Sequence, residues 1–307
     1  MNASRPADEQ HQDVRRGFVL GVAAYGLWGV LPIYFKAVAG VAAIDIVAHR
    51  VLWSLPFLAM LLFITRGWGE VAQALRRRRT LILLLCTAVL IAINWLLYVH
   101  AVTSGHILAG SLGYYLNPLV NVLLGRFVLK ERLSWLQWAA IAIAAAGILA
   151  LIGGALEQLW ISLTLAASFA TYGLLRKIAL VDSIAGLTIE TAVLAPLAIG
   201  WLAWGLAVGE PNFGTNGTET RLLLLAGVVS TIPLLLFTAA ARRLPYSTLG
   251  MLQFLAPTLQ FLIAVWLYGE PFGTAHAIAF GAIWIALALY MLALVRARGT
   301  PAAPAPE

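Results

Sequence analysis

The chain has 307 residues, 62% of them hydrophobic and only 11% charged, with a mean hydropathy of +0.90, and one water-facing globule cannot bury that much apolar side chain. The formal net charge of +7, from 20 Lys and Arg against 13 Asp and Glu, therefore bears on which side of a bilayer each charge occupies and not on nucleic acid. Its one cysteine, Cys86, lies in an apolar run and excludes both a disulfide framework and a cysteine metal site.

After a tail over residues 1–17, ten apolar segments follow in order: 18–35, 44–64, 81–99, 107–128, 135–152, 159–175, 185–204, 222–241, 246–268 and 275–295. A helix crosses the hydrocarbon core in about 20 residues. These runs have that length and are continuously apolar, whereas barrel strands are half as long and alternate. The expectation is an all-α polytopic membrane protein of ten transmembrane helices. Arg15-Arg16-Gly17-Phe18 resembles the start of a twin-arginine export signal, yet the span behind it holds Trp28 and Pro32 and has no clear small-residue cleavage site. It reads as an uncleaved first helix. The Pro/Ala-rich stretch from Thr300 reads as a disordered end to a tail over 297–307.

With the amino terminus in the cytoplasm, 17 Lys and Arg fall inside, Lys36 and Arg221 fall outside, and Arg50 stays within a span. Such an imbalance in short loops sets the orientation, with both termini cytoplasmic. The run Arg76 to Arg79 is then a topology anchor in contact with anionic lipid.

Displaced by 139 places, the chain sets Tyr98 over Phe237, Ala101 over Ala240, Pro118 over Pro257, Asn121 over Gln260 and Glu131 over Glu270. Displaced by 140, it sets Arg50 over Glu190 and Pro56 over Pro196. Residues 18–154 and 155–296 therefore read as two related five-helix repeats. Five is odd, so the second repeat enters the membrane upside down. Inverted repeats around a midplane cavity are a common construction of secondary transporters, since the two halves can exchange conformations.

Several blocks carry a family resemblance: Tyr25-Gly26-Leu27-Trp28-Gly29 with Pro32, Tyr34, Phe35 and Lys36; Ala48-His49-Arg50 with Leu52-Trp53-Ser54; and Asn94-Trp95. Further on come Gly110-Ser111-Leu112-Gly113-Tyr114-Tyr115-Leu116-Asn117-Pro118, Tyr172 to Lys177, Thr188-Ile189-Glu190-Thr191, and Gln253-Phe254 with Ala256-Pro257-Thr258. Over residues 18–295 the pattern resembles the EamA family of the drug/metabolite transporter superfamily, and within it the RarD branch. The resemblance implies a ten-helix inner-membrane permease in a branch named through chloramphenicol sensitivity.

Arg50 and Glu190 lie in mid-span, where an ionised side chain costs several kcal/mol unless it faces protein or water. Arg50 stands about six residues from the outer end of its helix and Glu190 about five from the inner end of its own. At 1.5 Å per residue that leaves on the order of 13 Å between backbones, slightly more than both side chains span. Separate partners are expected: His49, Tyr or Asn groups for Arg50, and Tyr172 or Arg176 for Glu190. An intramembrane carboxyl can carry a proton between faces, which makes Glu190 the first proton-coupling candidate and His49 the second. Tyr114, Asn117 and Asn121 share one helical face, as do Gln253, Pro257 and Gln260 on another segment, and Asn94 with Tyr98 on a third. Pro257 apart, these residues make up the candidate substrate-binding set with Arg50, His49, Trp28 and Tyr172, in a cavity of aromatic walls and a few amides. Helix-to-helix bonding is the alternative use of those amides.

No Walker-type phosphate loop, His-Glu-x-x-His or Gly-x-Ser-x-Gly occurs, so neither ATP as driving force nor a hydrolase is indicated, and no cofactor or metal is implied. The expected partners are a small-molecule substrate, protons and membrane lipid. The leading reading is a secondary transporter of a small organic metabolite or drug-like compound, working by alternating access with proton coupling. A membrane scaffold, receptor or embedded enzyme of the same fold, and a channel, are the other readings.

Overall fold

A computed structural model describes residues 7–38, 40–103, 107–149, 159–209, 217–267 and 274–299. Arg5, His106, the stretch 268–271 and the end of the chain from Thr300 lie outside them. Among the described residues the secondary structure is helical, with no strand. The helices are α1 (Ala7–Ala37), α2 (Ala43–Thr65), α3 (Trp68–Arg76), α4 (Arg78–Thr103), α5 (Ile107–Phe127) and α6 (Trp135–Leu149). They continue with α7 (Leu159–Ile178), α8 (Ser183–Ala207), α9 (Gly217–Ala241), α10 (Tyr246–Gln253), α11 (Leu255–Leu262) and α12 (Thr274–Gly299), α11 running into a π-helical turn at Ile263–Leu267.

Five of these helices, within α1, α2, α4, α8 and α9, are long and apolar enough to cross a membrane, and shorter apolar stretches occur at Trp135–Leu149 and Gly281–Ala293. The burial pattern is that of a protein solvated by lipid. Large apolar side chains such as Phe63, Leu197 and Trp266 face outward, while Thr87, Asn117, Asn121, Arg176 and Glu190 are enclosed. In hydrocarbon the polar groups must find their partners inside.

Two elements depart from the apolar runs. Helix α3 carries Glu70 and Arg76 yet buries Ala74 in a small cluster with Leu84, Ala179 and Ala185, while Trp68 and Leu75 stay exposed. The segment around Pro257 is broken at Phe254 into α10 and α11, because proline at 257 has no N–H to give to the carbonyl of Gln253.

Helix α1 packs on α9, α10 and α11; α2 on α8 and α9; α4 on α7 and α8; α5 on α7 and α10; and α6 on α12. At one end of the bundle the ion pairs and caps gather the basic loops. Arg243 pairs with Asp13 at 3.1 Å and Arg242 with Asp182 at 3.2 Å. Lys177 donates to the carbonyls of Ala241 and Leu244. Glu131 accepts from the backbone N–H groups of Tyr246 (2.6 Å) and Ser247 (3.0 Å) and from the Ser247 hydroxyl (2.6 Å), so it caps α10 from the loop after α5. At the opposite end the Trp201 indole donates to Asp45 at 2.9 Å and the Tyr34 hydroxyl to the carbonyl of Leu222 at 3.0 Å.

Helices α2 and α9 meet backbone to backbone at Gly227. A β-carbon there would stand 2.2 Å from the carbonyl carbon of Trp53 and 2.5 Å from the nitrogen of Ser54. Because backbone atoms cannot step aside singly, Gly227→Ala is expected to cost about 1–3 kcal/mol, read as a lower thermal-unfolding midpoint. Gly200→Ala, inside α8 with open space around the site, is the control for the gain in helix propensity that both substitutions share.

Candidate functional site

The α2–α9 contact forms one side of a cavity of about 240 Å³ walled by α2, α4, α7, α8 and α9. It reaches from Ile44 and Trp201, near the end opposite the basic loops, down to Leu187, Tyr172 and Glu190. Most of its wall is aliphatic or aromatic. Polar groups come from Arg50, Ser54, Tyr172, Glu190, Thr191 and Thr231.

Arg50 lies one turn before Ser54 on α2. Its guanidinium carbon sits 3.7 Å from the ring centroid of Trp95 on α4, a close cation–π contact. Among the described residues no carboxylate stands within ion-pair distance of it. The backbone beneath Arg50 is held by a short relay. The Thr231 hydroxyl donates to Ser54 Oγ at 2.8 Å, and Ser54 Oγ lies 2.6 Å from the carbonyl of Arg50 and 3.3 Å from that of Gly227.

Glu190 forms part of the floor and is buried. Thr87 Oγ1 donates to its Oε1 at 2.5 Å, the Tyr172 hydroxyl to Oε2 at 3.3 Å, and Arg176 Nη1 lies 3.6 Å from Oε1. Both members of the Arg176–Glu190 pair are 1% exposed, so each charge relies on the other. Arg176 Nη2 also donates to the carbonyl of Ser183 at 3.2 Å, which links the cavity floor to the start of α8 at the basic end. Gly186 makes room for this arginine, since a β-carbon there would fall 1.9 Å from Nη1.

Of the residues singled out in the sequence, Arg50, Tyr172 and Glu190 line this cavity together. Arg50 and Glu190 share it without pairing. Trp28 lies in an aromatic cluster with Tyr25, Phe169 and Phe237, and Tyr172 stacks on Phe237 at 6.3 Å between centroids. Tyr98 contacts Trp95 and Tyr114, with centroids at 6.4 and 5.4 Å. His49 is buried on α2 away from the lining.

Four of the amides, Asn94, Asn121, Gln253 and Gln260, form ties between helices. Asn94 Nδ2 donates to the carbonyl of Leu165 (2.9 Å) and to Ser168 Oγ (3.0 Å) across α4 and α7. Asn121 Nδ2 donates to Gln253 Oε1 at 2.7 Å across α5 and α10, and Gln260 Nε2 to the carbonyl of Trp28 at 3.1 Å across α11 and α1. Asn117 is fully buried, and both of its amide atoms are without a hydrogen-bond partner among the described residues.

Thr87, Gly186 and Thr231 are site residues that the sequence reading passes over, while Ser54 and Thr191 enter it only within the blocks of the family resemblance. Thr87 stands seven places before Asn94, so a search of that helical face would have reached it. Gly186 lies one turn before Glu190.

Known proteins resemble the chain over most of its length. The EamA-like transporter family matches residues 15–153. A protein of Vibrio cholerae described as an uncharacterized transporter is 45% identical over 282 residues, covering 91% of this chain and 93% of its own. Protein RarD of Escherichia coli is 43% identical over 289 residues, covering 92% of this chain and 95% of its own. One solved crystal structure is 22% identical with a TM-score of 0.69, over 90% of this chain and 97% of that one, a likeness of fold.

Proposed function

The chain belongs to the EamA-like transporter family, with the RarD proteins among its relatives, and on that footing we propose that it is a secondary transporter working by alternating access at the α2–α4–α7–α8–α9 cavity. It is a multi-pass helical protein of a bacterial-type inner membrane, and its cargo in this reading is a small organic metabolite. The observation that carries the proposal is a mostly apolar cavity lined by two intramembrane charged residues, Arg50 and Glu190, each with its own environment.

The transport frame in this reading is two inverted five-helix repeats, 18–154 and 155–296, with the basic end and both termini in the cytoplasm. The packing supports it. If α1, α2, α4, α5 and α6 are exchanged with α7, α8, α9, α10–α11 and α12, the α1–α9 pairing becomes α7–α4, α2–α9 becomes α8–α4, and α5–α7 becomes α10–α11 against α1. The pairings α2–α8, α5–α10 and α6–α12 map onto themselves. The cavity then reaches toward the outside, and the ion pairs and caps at the basic end close the inside.

Arg50 is the substrate contact in this mechanism. Glu190 is the proton-coupling group, favoured over His49 because it lines the cavity. A proton on Glu190 discharges its attraction for Arg176 and frees the link from the cavity floor to Ser183 and the inner closure. A cavity of about 240 Å³ falls below the ~300–1,000 Å³ of sites for drug-sized ligands, which favours a metabolite over a larger drug.

The experiment is counterflow of labelled small organic acids and neutral analogues in proteoliposomes holding the full chain, with and without an imposed pH gradient. Saturable, gradient-dependent flux is expected. Binding without flux under either condition would make the protein a non-transporting scaffold, and flux without saturation would make it a channel.

A further inference from the structure

Resting on the reading of this cavity as the transport site, we infer that its ligand is a small carboxylate anion with an apolar body and no ammonium group. The first ground is the state of Arg50. Trp95 covers one face of the guanidinium at 3.7 Å, and stacking on a face leaves the N–H edge available. Among the described residues nothing accepts a hydrogen bond from that edge and no carboxylate pairs with it. A planar fork of donors in a mostly apolar cavity matches a carboxylate in two parallel hydrogen bonds.

The second ground is the state of Glu190, the one carboxylate on the cavity lining. Its Oε1 is taken by Thr87 and Arg176 and its Oε2 by Tyr172. The Arg176–Glu190 pair balances itself and leaves Arg50 as the uncompensated charge. One monoanion neutralises that charge. A zwitterion brings an ammonium that must either displace Arg176 from Glu190 or remain unpaired in an apolar site, and burying an unpaired charge is costly. The rest of the wall, from Val47, Val51, Ile91, Leu187, Leu194 and Leu234, suits a short hydrocarbon body.

The test is calorimetric titration of the purified full-length protein with two matched series: 4-methylpentanoate, its amide and leucine, and 3-phenylpropanoate, its amide and phenylalanine. In at least one series the acid is expected to bind about 30-fold or more tighter than the amide, the scale of a buried charge pair, with the amino acid no tighter than the amide. Arg50→Gln is expected to erase the difference between acid and amide. Equal binding of acid and amide, tighter binding of the amino acid than of the acid, or no binding by any of the six compounds overturns the inference. Counterflow of the same compounds is read separately. Acid-selective binding without flux removes the transporter reading and leaves the carboxylate site standing, whereas saturable flux with no preference for the acid does the reverse.

Discussion

Glu190→Gln is expected to destabilise the protein by about 3–5 kcal/mol, the usual cost of removing one partner from a buried ion pair. Arg176 is 1% exposed, and beyond Glu190 its polar contact is the carbonyl of Ser183. Without the carboxylate its charge is stranded inside the bundle. Glutamine keeps the shape and can still meet Thr87 and Tyr172, so the loss isolates the charge and not the packing. Replacing both partners, as in Glu190→Gln with Arg176→Met, should recover most of the stability because no charge remains to be stranded. Chemical unfolding in mixed micelles measures all three proteins. Equal stability of Glu190→Gln and the natural chain would mean that the pair holds nothing. The transport readout differs from the stability readout: in the double variant, flux should persist with its dependence on the pH gradient gone.

For Arg50 the expectation runs the other way. Arg50→Gln should reduce substrate binding by about 30-fold or more with little change in stability, since no carboxylate among the described residues is left unpaired by its removal. The structural loss is confined to the Trp95 contact, about 0.5–2 kcal/mol. Arg50→Lys keeps the charge but not the planar fork, so it should bind between the two. Binding assays and thermal unfolding on the same preparations separate the outcomes. A fall in stability as large as that of Glu190→Gln would make Arg50 a structural tie.

Much of the helical scaffold is legible in the sequence because lipid leaves the chain little choice: every span must be apolar, and every backbone polar group must be bonded within the fold. Helix α3 escapes that logic. It is nine residues long and amphipathic, lies among charged residues, and is fixed by the packing of Ala74 on α4 and α8. The break at Phe254 is foreshadowed by Pro257, yet Pro56, Pro118, Pro196 and Pro233 sit in helices that continue through them, so proline alone does not say where a helix divides.

At the site, the cost of a charge in hydrocarbon singles out Arg50 and Glu190 without any structure. Periodicity places Asn94, Asn121, Gln253 and Gln260 on shared faces, but a polar face can meet a cavity or a neighbouring helix equally well. Only the packing distinguishes the two, and it gives each of these amides a partner on another helix. Trp95 stands beside Asn94 in a block that marks the family resemblance, yet its place over Arg50 depends on how α2 meets α4.

Alternating exposure of one cavity is the core of the proposed mechanism, and the reactivity of a single cysteine measures it most directly. Thr191 lines the cavity beside Glu190. With Cys86 replaced by serine, Thr191→Cys should react with a membrane-impermeant thiol reagent added from the outside in the absence of substrate. With saturating substrate it should become reactive from the cytoplasmic side as well. Reaction from one side alone under every condition, or from neither, would contradict alternating access at this cavity.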